Sequence, residues 1–217
     1  MEAGDYEGSM DAYNKSIELD PTHAVAYQNR GVCYSRLGDQ QRALADFKKV
    51  LSMNDPKVPL RDTYREMGVA YYRMGSIDNA IASWKKGLKK APSDPSLLNN
   101  IAIAYMQQKR YDGAASAAQK AFTADPSMPE VLNTMGEVSM VKKDYDAAVK
   151  YFLQAIERDP KQASRYKNAA LALEKAKQYK KALEYAKEYA DRQPDATARQ
   201  EAYAYIERLQ ERVDKLP

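Results

Sequence analysis

Few side chains in this sequence could carry covalent or metal chemistry. His23 is the single histidine and Cys33 the single cysteine among 217 residues. A zinc site or a His-activated nucleophile therefore has almost nothing to build on. No Gly-rich phosphate loop occurs, and one thiol makes no disulfide framework. What recurs is the primary amide: Asn29, Asn99, Asn100, Asn133 and Asn168 lie in apolar helical runs such as LNNIAIAY at 98–105. Asn is a mediocre helix former, because its amide competes for backbone groups. That amide offers two donors and an acceptor with two lone pairs, which suits it to both the N–H and the C=O of an extended peptide. The chemistry on offer is recognition, and no cofactor or metal is expected.

The elements that must position these amides follow from a proline period. Pro21, Pro56, Pro92, Pro126, Pro160 and Pro194 recur at intervals of 34 to 36 residues. A fixed period in this range decides architecture, because each unit is one supersecondary element that buries its apolar face against the next. Alignment on the prolines gives blocks 24–57, 61–94, 95–128, 129–162 and 163–196, each with two amphipathic segments joined by a short turn.

Within a block of 34 positions, position 8 is small (Gly31, Gly68, Ala102, Gly136, Ala170), and so is position 20 (Ala43, Ala80, Ala114, Ala148, Ala182). Small residues let two helices of one hairpin cross closely. Position 4 is large and apolar, and position 24 holds Phe47, Trp84 and Phe152 but shrinks to Ala118 and Ala186. Gly38 and Gly75 are placed to cap their first helices, with Lys109, Lys143 and Lys177 in the same role later. The Asp-Pro pairs at 55–56, 125–126 and 159–160 close second helices, since proline disfavours helix in the residue before it.

This pattern resembles the tetratricopeptide repeat, in five copies over residues 24–196. The resemblance implies an all-α fold: an α-α superhelix, or solenoid, of stacked antiparallel helix hairpins with a concave groove. Residues 5–21 match the second helix of a further repeat whose first helix the chain does not contain. Residues 197–217 form a capping helix with Ala202, Tyr203, Ile206, Leu209 and Val213 on one side. A cap of this kind is what an array end requires. The expectation is a single domain over 1–217 with about twelve helices. Three extra residues around Lys57-Val58-Pro59 are expected to make the longest and most mobile connection.

On the first helix of each block, positions 2, 6, 9 and 13 form one stripe. Asn29, Asn100 and Asn168 share position 6, with Asn99 and Asn133 beside them at position 5. Val32, Val69, Ile103 and Leu171 share position 9, where Glu137 interrupts the apolar strip. Met106 and Met140 lie nearby as adaptable contacts. Arg36, Arg65, Arg73, Gln107, Lys167 and Lys175 complete the candidate peptide-binding residues. Chaperone-binding members of the family clamp a C-terminal carboxylate with cations where this chain has Asp62 and Glu66, so that specificity is not expected.

The leading expectation is a non-enzymatic scaffold that binds a protein or peptide segment in the groove. The alternatives are a self-assembly module, with a homo-oligomer formed through the N-terminal half repeat, and the docking domain of a larger enzyme or membrane-anchored protein. Nucleic acid is not expected as a partner: 34 basic and 30 acidic residues are interspersed for a net charge of +4, without sustained Lys and Arg along the stripe. No run approaches the ~18 apolar residues of a membrane span. The N-terminal MEAGDYEGSM does not read as a signal peptide, which makes the cytoplasm the default compartment.

Overall fold

A computed structural model describes residues 3–193 and 195–216. Pro194, the sixth periodic proline, lies outside the described residues. Those residues form twelve helices and no strand: α1 (Ala3–Leu19), α2 (Ala24–Arg36), α3 (Gln40–Met53), α4 (Leu60–Arg73), α5 (Ile77–Leu88), α6 (Pro95–Gln107), α7 (Tyr111–Ala124), α8 (Pro129–Val141), α9 (Tyr145–Arg158), α10 (Ala163–Lys175), α11 (Tyr179–Asp191) and α12 (Ala196–Asp214). The chain divides into two compact units, residues 1–104 and 105–217. In the first, α1 to α5 pack each on the next, and the first helices α2 and α4 also touch. In the second, α7 to α12 pack likewise in sequence, and α8 touches α10. Stacked helix hairpins are thus the building principle of both units.

The crossing points show why position 8 is small. A Cβ added to Gly31 would meet the Phe47 ring at 2.8 Å, to Gly68 the Trp84 ring at 2.1 Å, and to Gly136 the Phe152 ring at 2.5 Å. The aromatic at position 24 fills the space that the glycine leaves, so the two positions form one packing unit. Where position 8 is alanine instead, as at Ala170, position 24 is alanine too, and both Ala170 and Ala186 are fully buried. Each choice keeps the interior close-packed.

Helix ends are set locally. Gly38 and Gly75 have φ of 91° and 75°, and Lys109, Lys143 and Lys177 take the same left-handed position at 58° to 60°. The aspartates of the Asp-Pro pairs do more than precede a proline. Asp55, Asp125 and Asp159 each accept the backbone N–H two residues on, at 2.8, 2.9 and 3.2 Å, as does Asp20 at 2.9 Å. This side-chain turn fixes the entry to the next repeat. Asp39 and Asp144 cap α3 and α9 by accepting from Arg42 N and Ala147 N.

The connection expected to be longest, residues 54–59, is matched in length by residues 89–94. Two things account for the difference. Val58 is buried against Ala24 and Val50, which draws the first connection onto the core. At the other, hydrogen bonds from Lys90 N and Ala91 N to Gly87 O and from Asp94 N to Ala91 O carry α5 into successive turns. The two connections border a hollow of about 500 Å³.

Candidate peptide interface

In the first unit the stripe lies on α2, α4 and the first part of α6. Asn29, Val69, Asn100 and Ile103 are half-buried, which leaves each a reachable surface. Val32 is half-buried against the cluster of Phe47, Met67 and Ala70, so part of its apolar area already serves the stacking of repeats. Arg36 is exposed. Arg73 donates to the Ser35 carbonyl oxygen at 2.6 Å, tying α4 to the end of α2. Arg65 lies 3.1 Å from Glu66 and 3.3 Å from Asp62, and Arg61 bridges Asp62 at 2.7 Å and Asp94 at 3.0 Å. The two carboxylates that disfavour a carboxylate ligand are therefore partly neutralised by their own helix.

Asn99 is a correction to the sequence reading. It is 3% exposed and does not lie on the open face. Its Oδ1 has no hydrogen-bond partner among the described residues. Arg65 and Asn133 at the same repeat position are half-buried and Lys167 is exposed, so the burial of Asn99 belongs to α6 and not to the position.

In the second unit, Met106 is half-buried and Gln107 exposed at the end of α6, while α8 and α10 carry the stripe. Asn133 Nδ2 donates to Glu137 Oε1 at 2.8 Å, and Asn168 Nδ2 donates to Asn133 Oδ1 at 3.1 Å. The two asparagines thus form a relay between adjacent first helices and are not isolated solvated amides. Burial pushes the Glu137 carboxyl above the usual carboxylate range, against the Asn133 hydrogen bond. Met140 packs at the edge of the cluster built on Phe152, Leu173 and Leu183. Lys167 is exposed, with its ammonium 5.6 Å from the Tyr189 ring centroid. Lys175 is exposed as well. Leu171 opens onto a recess of about 230 Å³ shared with Lys167, Tyr189, Ala202, Tyr205 and Arg208.

Two arginines that stacking depends on escaped the sequence reading. Arg30 donates to both carboxylate oxygens of Asp46 at 2.8 Å and to Asn14 at 2.9 Å, joining α1, α2 and α3. Arg165 is 2% exposed. It donates to the Asp159 carbonyl oxygen at 2.8 Å and pairs with the Asp159 and Glu130 carboxylates at 2.5 and 3.4 Å. Its signal was available: position 3 otherwise holds Ala26, Thr63, Leu97 and Val131, so an arginine there needs a partner.

Three family profiles, each described as tetratricopeptide repeat, match residues 12–45, 65–129 and 105–173. The chain belongs to the tetratricopeptide repeat family. Proteins of this family generally mediate protein–protein interactions and are typically non-enzymatic. A tetratricopeptide repeat protein 36 homolog of Nematostella vectensis is 38% identical over 53 residues, which are 24% of this chain and 29% of that relative. The chain thus spans under a third of that curated relative's length. In the APC/C hetero-tetramer Cut9-Hcn1, one chain superposes with a TM-score of 0.81 at 17% identity, over 95% of this chain and 40% of that one. YrrB, described as a tetratricopeptide repeat protein with an unusual peptide-binding site, superposes with a TM-score of 0.61 at 23% identity, over 90% and 99%. At these identities the likeness concerns the fold.

Proposed function

We propose that this tetratricopeptide repeat protein is a non-enzymatic scaffold that holds an extended segment of a partner protein along the wall that the first helices form within a unit. One observation carries the reading. Half-buried amides recur at one repeat position (Asn29 and Asn100 in the first unit, Asn168 in the second), beside half-buried apolar residues Val32, Val69, Ile103 and Leu171. Amides can bond a peptide backbone with little regard to its sequence, and the apolar strip rewards burial of its side chains. The peptide-binding site attributed to YrrB supports the same use of the fold. Self-association through α1 is a second reading, favoured by Leu19, which is 79% exposed on that helix.

The test is a calorimetric titration of each variant with a partner isolated on the immobilised chain from its native extract. Asn100→Ala should weaken binding by about 1 kcal/mol or more, because peptide groups buried on binding lose their partner. Adding Ile103→Asp should abolish binding while helical content persists. Ala114→Leu should damage folding and binding together, since Ala114 is fully buried and a larger side chain wedges its hairpin apart. Normal binding by the wall variants, with loss on changing the outward faces of second helices, overturns the proposal. Sedimentation of the same samples across concentrations reads self-association.

A further inference from the structure

Glu137 stands where the other wall helices carry Val, Ile or Leu, and its surroundings do not resemble those of a structural carboxylate. It is half-buried on α8, with Asn133 Nδ2 at 2.8 Å. Among the described residues no cation lies within ion-pair distance of it. Four cations of this unit are engaged elsewhere: Arg165 with Asp159 and Glu130, Arg208 and Arg212 with Glu174, and Lys167 over Tyr189. Lys142, Lys143 and Lys175 are exposed at the helix ends. Burial without a counter-charge disfavours the ionised form, which is the direction in which this carboxyl is displaced.

The two neighbouring amides are held in one sense. Glu137 Oε1 accepts from Asn133 Nδ2, which leaves the Asn133 carbonyl oxygen turned away from it. That oxygen in turn accepts from Asn168. The donors thus run in one direction, from Asn168 to Asn133 and from Asn133 to Glu137, and the relay ends on the carboxyl group. We propose that Glu137, oriented by Asn133 and Asn168, is a subsite for a cationic side chain, a lysine or arginine, of the bound partner segment. The proposal rests on the wall reading of the preceding section. A charge-assisted hydrogen bond to an ammonium or guanidinium supplies the counter-charge that the fold withholds. Nothing else in the relay needs to move, because the amides are already aligned.

The experiment uses the full chain and a blocked Ser-Val-Lys-Val-Lys-Val-Ser peptide, compared with the same peptide acetylated on both lysine Nζ atoms. Binding is followed by NMR through the side-chain amide resonances of Asn100, Asn133 and Asn168. The lysine peptide should bind roughly tenfold more tightly than its acetylated form, the scale of a well-made charged contact. Glu137→Gln, which keeps an acceptor for Asn133, should reduce that ratio to near one while the acetylated peptide binds as before. Asp146→Asn removes the same charge from an exposed position on α9 and should leave the ratio unchanged. If both peptides shift the asparagine resonances with equal affinity, the wall reading stands and the cationic subsite is overturned. A ratio lost equally in Asp146→Asn overturns it too, as diffuse attraction. If neither peptide perturbs any wall resonance, the wall reading falls and takes the subsite with it.

Discussion

The two units solve the same local problems with different residues. In the first, the wall helices α2 and α4 end at Gly38 and Gly75, and the carboxylates Asp62 and Glu66 are matched by Arg61 and Arg65. In the second, the corresponding helix ends are Lys109, Lys143 and Lys177, and the carboxylate Glu137 has an amide for company instead of a cation. Both units keep the hairpin geometry, so these positions are not what folding demands. The lesson is that packing positions define the fold, while caps and wall charges vary freely enough to record something else.

The largest effect should come from the positions at which the units agree. Gly68→Ala and Gly136→Ala should each cost about 2–3 kcal/mol in urea unfolding, because the added methyl must displace a buried ring. Gly68→Ala should cost more, since its Cβ meets Trp84 at 2.1 Å against 2.5 Å for Gly136 and Phe152. Equal, small costs in both would mean that the rings shift easily and that the glycines answer some other need.

A smaller effect should separate the helix ends. Lys143→Gly should stabilise by about 1 kcal/mol, the penalty of a left-handed backbone for a residue with a Cβ. Gly75→Lys should lose about the same amount. Thermal melts of the two variants, read in opposite directions, check this.

The smallest effect should be electrostatic and opposite in sign between the units. Glu66→Gln should destabilise by about 0.5 kcal/mol at most, since it breaks a partly exposed ion pair. Glu137→Gln should stabilise at pH 7, because the folded state disfavours this carboxylate. The sign follows from linkage: a carboxyl raised on folding contributes most to stability when protonated, and that contribution is lost as pH rises through its folded value. The advantage of Glu137→Gln should therefore shrink as pH falls from neutral toward the ordinary glutamate value of 4.5. An advantage that does not change over this window would show that burial does not disfavour the charge.

Most of the fold was legible because its determinants are periodic. The prolines mark the blocks, the small residues at positions 8 and 20 mark the crossings, and even the lysines in glycine positions announce left-handed caps. The complementarity of Gly31 with Phe47, or Gly136 with Phe152, was also visible as a fixed spacing in the sequence. The wall was legible only in part. Asn99 shares its repeat position with half-buried Arg65 and Asn133 and exposed Lys167, so periodicity could not foretell that it alone is buried among them. The Asn133–Glu137 bond joins positions 5 and 9 of one helix, but its extension to Asn168 crosses between repeats and needs coordinates. Arg30 and Arg165 likewise act across helices, where one chain's pattern carries no distance.

Arg165 gives the array a grammar. Repeats of this kind invite treatment as interchangeable bricks, to be shuffled by recombination or by an engineer. The joint between α9 and α10 resists that. Its arginine is buried and spends its charge on Asp159, the residue that closes the preceding repeat. A cassette cut at residue 162 would separate the cation from its acceptor, and grafting α10 behind a repeat without that aspartate would seal a bare charge in the seam. Here the heritable unit is a repeat together with the last turn of the one before it.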